Sequence, residues 1–273
     1  FYKSHHTRQS PTIVRAMVKL KMTGSYVAII TPFTEDDEVD YAKIEEIVEF
    51  QIAEGTSGIV PCGSTGEAHS LSDEETTKII ETVVKKVAKR IHVIAGAGSN
   101  CTKKAVQLTK LAKDLGCDGV LSVIPYYNKP TQEGMYAHFK AVAEVGIPVM
   151  LYNNVGRAAG PGLSAATVAK LAELPMVVSI KEASGGVDLA SEIRAACDIQ
   201  ILSSFDSLTV PIMALGGTGV VSVLGNICPR QVADLCRAME AGDLARARAI
   251  HFDLFRLSSA MFSETNPIPL KAA

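Results

Sequence analysis

The chain has 273 residues, of which 47% are apolar and 21% are charged, and this composition excludes disordered, collagen-like and coiled-coil proteins. The formal net charge of −2 provides no field that would attract nucleic acid or an anionic membrane. The chain has no Trp and only 5% aromatic residues, which disfavours the stacking surfaces used by single-strand binders. We therefore predict a globular protein with neither a nucleic-acid nor a membrane partner.

The six cysteines show no metal-binding or redox spacing. No pair is spaced C-x-x-C and no H-E-x-x-H motif occurs, so we predict no metal site. Most of the cysteines lie in apolar or helical runs, which is typical of buried, reduced thiols. Reduced thiols favour a cytoplasmic location. The cysteines are Cys62, Cys101, Cys117, Cys197, Cys228 and Cys236.

Residues 1–21 are basic, and no acidic residue precedes Glu35. Transit peptides are basic, rich in Ser and poor in acidic residues, so this segment is consistent with the remnant of a targeting peptide, which would place the protein in a plastid. The alternative is a leader without a function. We treat residues 1–21 as separate from the folded domain.

Short apolar runs alternate with amphipathic patterns along the rest of the chain. The first helix shows the 3.6-residue period at Ile44, Ile47, Val48 and Ile52, and Ser72 opens a capping box with Glu75. Strands are predicted at residues 26–33, 58–62, 92–96, 119–124, 148–152, 177–181, 199–203 and 219–224. Helices are predicted at residues 41–54, 72–90, 102–115, 131–145, 164–173, 187–196, 208–215, 230–241 and 243–261.

Eight strands, each followed by a helix, predict an α/β protein with the (β/α)8 TIM-barrel fold. An open doubly wound sheet is disfavoured because Thr31-Pro32-Phe33 replaces the glycine fingerprint after the first strand. The barrel is predicted over residues 22–227, and residues 228–273 form a C-terminal helical region. The uncharged stretch 207–229 contains a proline and four glycines, so we interpret it as a helix, a turn and a buried strand instead of a membrane span.

Lys181 is the most informative candidate, because it ends the sixth predicted strand. Chemistry in these barrels occurs at the C-terminal ends of strands. Strand alternation places Lys181 on one face with Ser179 and Val177, and Val178 and Ile180 on the outer face. A lysine inside the barrel mouth favours the neutral amine, which attacks ketones to form a Schiff base. The alternative is a strand-end lysine paired with a carboxylate.

Three further signals lie at the same rim, and each also has a purely structural interpretation. Tyr152 ends the fifth strand and either transfers protons or belongs to the core. The loop Gly63–Glu67 either presents N–H groups to a carboxylate or is simply a tight turn. Arg157 either binds a carboxylate through bidentate hydrogen bonds from its guanidinium or is solvated.

The residues also resemble a known family. Gly63-Ser-Thr-Gly-Glu67, Pro125-Tyr-Tyr-Asn128, the Tyr152-Asn153 to Arg157 loop and Ile180-Lys-Glu-Ala-Ser-Gly185 occur in the order found in dihydrodipicolinate synthases, which belong to the pyruvate-dependent class I aldolases. The resemblance runs from about residue 22 to residue 271. It implies a homotetramer, a dimer of dimers, and no metal or organic cofactor.

The resemblance also implies roles for individual residues. Lys181 corresponds to the lysine that forms the Schiff base with pyruvate. Tyr152, Ser64 and Tyr127 correspond to a proton relay, with Tyr127 reaching the site of a neighbouring subunit. The substrate-binding positions are Thr65 for the pyruvate carboxylate, Arg157 for the carboxylate of L-aspartate 4-semialdehyde, and Val221, whose carbonyl lines the pyruvate pocket.

Several positions depart from the family pattern. Val155 replaces a proline, and the loop 158–161 is one residue longer, which affects the position of Arg157. Asn100 and Tyr126 correspond to positions in a regulatory pocket that binds lysine, whereas Lys104 replaces the glutamate that would bind lysine's ammonium. We expect weak feedback inhibition, unless Lys104 turns into solvent. The chain also ends before the family's last helices.

The predicted reaction is the condensation of pyruvate with L-aspartate 4-semialdehyde to 4-hydroxy-tetrahydrodipicolinate, in lysine (diaminopimelate) biosynthesis. Two alternatives stay open. One is a lyase for N-acetylneuraminate or a 2-keto-3-deoxy sugar acid; sialic-acid lyases share Ser64, whereas Arg157 favours the synthase. The other is a barrel without catalytic activity that binds a 2-oxo acid.

Overall fold

The computed structural model describes residues 20–273, in which eight parallel strands form a closed barrel in the order β1 to β8. The predicted (β/α)8 fold is confirmed. The strands are β1 Gly24–Ala28, β2 Gly58–Val60, β3 His92–Gly96, β4 Gly119–Val123, β5 Val149–Asn153, β6 Val177–Glu182, β7 Gln200–Ser203 and β8 Gly219–Ser222. The helices are α1 Tyr41–Ala53, α2 Asp73–Val87, α3 Thr102–Asp114, α4 Gln132–Ala143, α5 Val155–Ala158, α6 Ala165–Ala172, α7 Asp188–Ala196, α8 Thr209–Ala214, α9 Pro229–Glu240, α10 Leu244–Ala260 and α11 Ile268–Ala272.

Two apolar layers hold the barrel together. The inner layer fills the barrel and includes Tyr26, Ile94, Leu121 and Met150. The outer layer packs the other face of the strands against the helices. Since both faces are covered, the strands are apolar on both sides, as parallel strands require.

The helix starts follow the predicted capping chemistry. The Ser72 side chain accepts a hydrogen bond from the N–H of Glu75, and the Glu75 side chain accepts one from the N–H of Ser72. Three acidic residues occupy the first turn of α2 and two lysines the last, which suits the helix dipole. The start of α2 determines how the loop before it leaves the barrel mouth.

The first strand is shorter than predicted. It ends at Ala28 instead of Phe33, because its partners end there: Pro61, which has no N–H, follows β2, and the N–H of Ile30 is bound by the Asn226 side chain at 3.2 Å. The apolar run continues as buried loop, so burial alone does not distinguish the strand from the loop.

A β-bulge in β6 corrects part of the predicted alternation. Val149 of β5 pairs with Val177, but the next residue, Met150, pairs with Ser179. Because of this extra residue, the side chains that precede Ser179 in β6 point to the opposite faces from those predicted by strict alternation. Val177 packs in the outer layer and Val178 packs against the inner layer. Ile180 lies in the outer layer, as predicted.

The C-terminal helices complete the ring and extend beyond it. Helix α9 packs against β1 and β8, and α10 packs on α9. Residues 207–229 form α8, a turn and β8, as predicted, and no helix in residues 20–273 is long and apolar enough to cross a membrane. A further short helix, α11, follows Asn266. The domain boundary at residue 227 stays a prediction.

Two other predictions have a partial outcome. Cys62, Cys117 and Cys236 are buried free thiols, whereas Cys101 is exposed and Cys197 and Cys228 are half-buried. The basic leader falls outside the described residues except for Leu20 and Lys21. The carbonyl of Leu20 accepts a hydrogen bond from the Gln200 side chain at 3.3 Å, so the folded domain includes this residue.

Candidate active site

Lys181 and Tyr152 lie side by side inside the mouth of the barrel. They pair directly across β5 and β6, and the Lys181 ammonium lies 4.4 Å from the centre of the Tyr152 ring. Lys181 is 4% exposed and Tyr152 is 7% exposed. The strand register therefore brings a buried amine and a phenol into contact.

The environment of Tyr152 stabilises its phenolate. Burial by itself would raise the pKa of the phenol, but the positive charge of Lys181 and hydrogen bonds with Ser204 and Asn154 outweigh it, and Arg157 adds to them, so the pKa lies below the usual value for tyrosine. The Asn154 amide donates to the Tyr152 hydroxyl at 2.7 Å. A phenol of lowered pKa, held in place by a donor, is suited to move protons.

The loop Gly63–Glu67 lies at the mouth as a tight turn with available donors. The Ser64 carbonyl accepts a hydrogen bond from the N–H of Glu67 at 3.1 Å, and Glu67 has a left-handed φ of 55°. No hydrogen bond among residues 20–273 uses the N–H of Ser64 or Thr65. The loop is thus both the tight turn and the set of free donors that the two sequence interpretations offered.

Arg157 lies on the short helix α5 at the same rim. The Asn154 side chain accepts a hydrogen bond from the N–H of Arg157 at 3.1 Å and so caps this helix. The Arg157 side chain is exposed and donates one hydrogen bond, at 2.9 Å, to the main-chain carbonyl of Asn266. Its remaining donors are available to a carboxylate.

A buried carboxylate organises the end of β8 beside Val221. Asp206 accepts a hydrogen bond from the Ser222 hydroxyl and bonds at 3.1 Å each from the N–H groups of Val223 and Leu224. Burial raises the pKa of Asp206, although these hydrogen bonds and the charge of Lys181 act in the opposite direction. Val221 itself is fully buried in the inner layer.

An open cavity of about 380 Å³ extends from these residues toward α2 and α3. Ser64, Tyr152 and Arg157 line one end of it, whereas Lys181 lies behind Tyr152 and is not part of the lining. The far end holds an ion pair in which the Lys104 ammonium contacts both carboxylate oxygens of Asp73 at 2.6 Å. Lys104 is therefore neither free nor turned away into solvent.

The remaining predicted positions lie outside the catalytic group of this chain. Tyr127 is 86% exposed and has a left-handed φ of 72°, so it does not enter the site of its own chain. Tyr126 lines the cavity, and the Asn100 carbonyl accepts a hydrogen bond from the Asn128 side chain at 2.9 Å. Only a second chain could give Tyr127 the role that the resemblance implies.

Sequence reasoning missed three residues of this site. Asn154 bonds Tyr152 and caps α5, Asp206 binds the end of β8, and the Asn266 amide donates to the Thr65 hydroxyl at 2.9 Å. Asn154 directly follows a strand end, which was a usable signal. Asn266 gave no such signal, because it lies 201 residues from Thr65 in the chain.

Comparison with known proteins shows the family of this chain. A family model described as the Dihydrodipicolinate synthetase family matches residues 21–273. The chain belongs to this family. The 4-hydroxy-tetrahydrodipicolinate synthase of Geobacter sp. strain M21 is 52% identical over 253 residues, which cover 92% of this chain and 87% of the relative. Lys181, Tyr152, the loop Gly63–Glu67 and Arg157 thus occur in a chain whose relatives are named as synthases.

Two solved structures of the family carry ligands. The chloride-inhibited dihydrodipicolinate synthase from Acinetobacter baumannii, complexed with pyruvate, is 43% identical with a TM-score of 0.90, over 92% of this chain and 87% of that one. The enzyme from Cyanidioschyzon merolae with lysine bound is 39% identical with a TM-score of 0.89, over 92% and 86%. The family therefore includes members that bind a 2-oxo acid and members that bind lysine.

Proposed function

We propose that this family member is a 4-hydroxy-tetrahydrodipicolinate synthase that condenses pyruvate with L-aspartate 4-semialdehyde in lysine biosynthesis. The observation that carries the proposal is the buried Lys181 in contact with Tyr152 at the C-terminal end of the barrel strands. The curated relatives at about half identity carry the same activity in their name.

The covalent chemistry belongs to Lys181. Its neutral amine adds to the ketone carbon of pyruvate, and loss of water gives an imine. The protonated imine draws electrons from the adjacent carbon, so the methyl group loses a proton and an enamine forms. The enamine carbon then bonds to the aldehyde carbon of the semialdehyde, whose oxygen takes up a proton. Attack of the substrate's amino group on the imine carbon closes the ring and releases Lys181.

Tyr152 is the group best placed to move the protons of these steps. Addition of the amine and loss of water both require a proton at the former ketone oxygen. The Tyr152 ring contacts the Lys181 amine, and its lowered pKa makes this phenol a better proton donor than an ordinary tyrosine. Ser64 lines the same cavity and completes the part of the relay that one chain supplies.

Two carboxylates are recognised at two places. The loop N–H groups and the Thr65 hydroxyl face the pyruvate carboxylate, and Arg157 at the rim binds the carboxylate of the semialdehyde. Both groups are single negative charges, and the loop and the guanidinium provide hydrogen-bond donors for them. This division assigns the inner position to pyruvate and the outer one to the aldehyde.

A coupled assay tests the proposal directly. Purified protein is supplied with pyruvate and L-aspartate 4-semialdehyde, and product is followed through a reductase that consumes it. Consumption of pyruvate is measured in parallel, so that condensation with another aldehyde is also detected. We expect turnover with this pair and none when N-acetylmannosamine replaces the semialdehyde. Turnover with the sugar alone would assign the chain to the lyases, and absence of borohydride trapping with pyruvate would make it a binding protein.

We infer that the active form is the homotetramer implied for the family, with Tyr127 acting across a subunit interface. The support is the exposed ring of Tyr127 on a loop anchored by a 3.2 Å hydrogen bond from its N–H to the Ala158 carbonyl. In sedimentation at assay concentration we expect a tetramer, and Tyr127→Phe should lower kcat at least about tenfold without dissociating it. An active monomer would contradict the inference.

We expect little inhibition by L-lysine. At the far end of the cavity Lys104 places a positive charge that is paired with the exposed Asp73 carboxylate, so the lysine ammonium meets an ammonium there and no unpaired carboxylate. Half-inhibition should need more than about 1 mM, which corresponds to binding weaker than about −4 kcal/mol. L-Lysine titrated into the coupled assay measures this.

A charge reversal at Lys104 tests the same prediction, because it should strengthen inhibition by L-lysine. Lys104→Glu places two carboxylates at that end of the cavity and should lower the half-inhibitory concentration at least about tenfold. Lys103→Glu, on the same helix turn but exposed and outside the cavity lining, should have no such effect. Wild-type inhibition below 1 mM would contradict the role given to the ion pair.

A further inference from the structure

The segment that follows α10 lies over the barrel mouth and is anchored at several points. Leu270 is buried against the apolar cluster formed by β8 and α9. The Lys271 ammonium pairs with Glu67 and lies 4.3 Å from the centre of the Phe33 ring. The segment is thus tied to the loop that carries Ser64 and Thr65.

Asn266, within this segment, contacts both of the predicted carboxylate-binding groups. Its side-chain amide nitrogen lies 2.9 Å from the Thr65 hydroxyl oxygen. Its main-chain carbonyl oxygen accepts a hydrogen bond from the Arg157 guanidinium, also at 2.9 Å. One residue therefore joins the inner and the outer binding position.

The direction of the first hydrogen bond determines what Thr65 can do. An amide N–H₂ only donates, so the Thr65 oxygen accepts, and its own proton must point elsewhere. Among residues 20–273 the Thr65 hydroxyl has no other partner, and Thr65 is only 2% exposed. The proton is therefore available to an acceptor that enters the site, as a carboxylate does.

The second contact orients Arg157 in a comparable way. The carbonyl of Asn266 holds one N–H of the guanidinium, and the planar group is then fixed in direction while its other donors stay free. The amide oxygen of Asn266 is buried without a hydrogen-bond partner among residues 20–273, so the contact with Thr65 is made by the amide nitrogen.

We propose that Asn266 is a positioning residue that directs the Thr65 proton toward the pyruvate carboxylate and aims Arg157 at the carboxylate of the second substrate. This rests on the proposed function. Asn266 acts through Thr65 and Arg157 and touches neither reacting carbon. Because only the contact to Thr65 uses the side chain, substitutions at Asn266 should affect pyruvate more than the aldehyde.

Asn266→Asp and Asn266→Ala separate this role from simple packing. Aspartate has nearly the same shape but accepts hydrogen bonds, so it takes up the Thr65 proton and adds a negative charge. We expect the KM for pyruvate to rise tenfold or more in Asn266→Asp and clearly less in Asn266→Ala. The KM for L-aspartate 4-semialdehyde should change less than that for pyruvate in Asn266→Ala, and kcat should stay within about threefold.

A double-mutant cycle tests whether the effect passes through Thr65. If it does, Thr65→Ala combined with Asn266→Ala should have the same pyruvate KM as Thr65→Ala alone. Thr265→Ala, an exposed neighbour in the same segment, should match the wild type. Thermal unfolding of each variant shows whether the fold is retained, and the cycle uses only variants that keep it.

Three results would overturn the proposal. The first is an equal or absent effect of Asn266→Asp and Asn266→Ala on the pyruvate KM, and the second is additive effects in the cycle. The third is a fall in that KM, since Asn266 would then compete with the substrate. Borohydride trapping of pyruvate on the wild type distinguishes failure of the proposed function from failure of the role given to Asn266. If trapping fails, the proposed function is wrong. If trapping succeeds while the variants match the wild type, only the role of Asn266 is wrong.

Discussion

Replacing Lys181 by alanine should abolish borohydride trapping of pyruvate and reduce turnover at least about a thousandfold. Lys181 is a buried amine, the neighbouring Tyr152, Ser64 and Thr65 offer only hydroxyls, and the Lys271 amine over the mouth is paired with Glu67. Since a hydroxyl cannot give a reducible C=N bond, no residue beside Lys181 can replace it. Mass spectrometry of the protein after treatment with pyruvate and borohydride measures the adduct.

Matched variants make this result specific. Lys181→Met keeps most of the side-chain volume in the buried position, so it should fold like the wild type and still lack the adduct. Lys170→Ala removes an exposed lysine on α6 and should leave trapping unchanged. An adduct of undiminished yield on Lys181→Met would reject the assignment, and peptide mapping would then locate the lysine responsible.

Replacing Arg157 by alanine should raise the KM for L-aspartate 4-semialdehyde while imine formation with pyruvate continues. Loss of one charge-assisted, bidentate contact costs about 2–4 kcal/mol, which corresponds to about 30-fold to several hundredfold in KM. The guanidinium is exposed at the rim and donates only one hydrogen bond to residues 20–273, to the main-chain carbonyl of Asn266. Most of its donors are therefore free for the substrate.

The decisive measurement for Arg157 compares the effect of each variant on L-aspartate 4-semialdehyde with its effect on pyruvate. Arg157→Lys keeps the charge but loses the planar pair of donors, so we expect an intermediate KM. Arg194→Ala, at an exposed arginine that pairs with Asp198, serves as the surface control. Equal losses for pyruvate and the semialdehyde would show that Arg157 supports the rim structurally and does not select the aldehyde.

The alternation of strands and helices could be predicted from the sequence because each unit buries its own apolar face. The period of Ile44, Ile47, Val48 and Ile52 and the capping box at Ser72 are local patterns, and eight such units in one chain leave few folds other than a closed barrel. The bulge in β6 could not be predicted from the sequence. Its extra residue is set by the pairing of Val149 and Met150 with the neighbouring strand, and both valines at the bulge are equally apolar.

Lys181 and Tyr152 were identified from the sequence because each ends a strand, and strand ends in a barrel converge on one mouth. Their contact at 4.4 Å follows from the register of β5 and β6, which only the closed sheet determines. The ion pair of Lys104 with Asp73 changes the meaning of a residue that the sequence alone presented as an unpaired charge.

The sequence by itself predicted the fold class and placed Lys181 at a strand end, since both depend on residue type and local spacing. Only the tertiary structure brings Asn266 into contact with the Thr65 hydroxyl and the Arg157 guanidinium. Asn266 lies 201 residues after Thr65 and 109 residues after Arg157 in the chain. A hydrogen bond has a donor and an acceptor end, and only packing the C-terminal segment on the barrel mouth brings the right ends together.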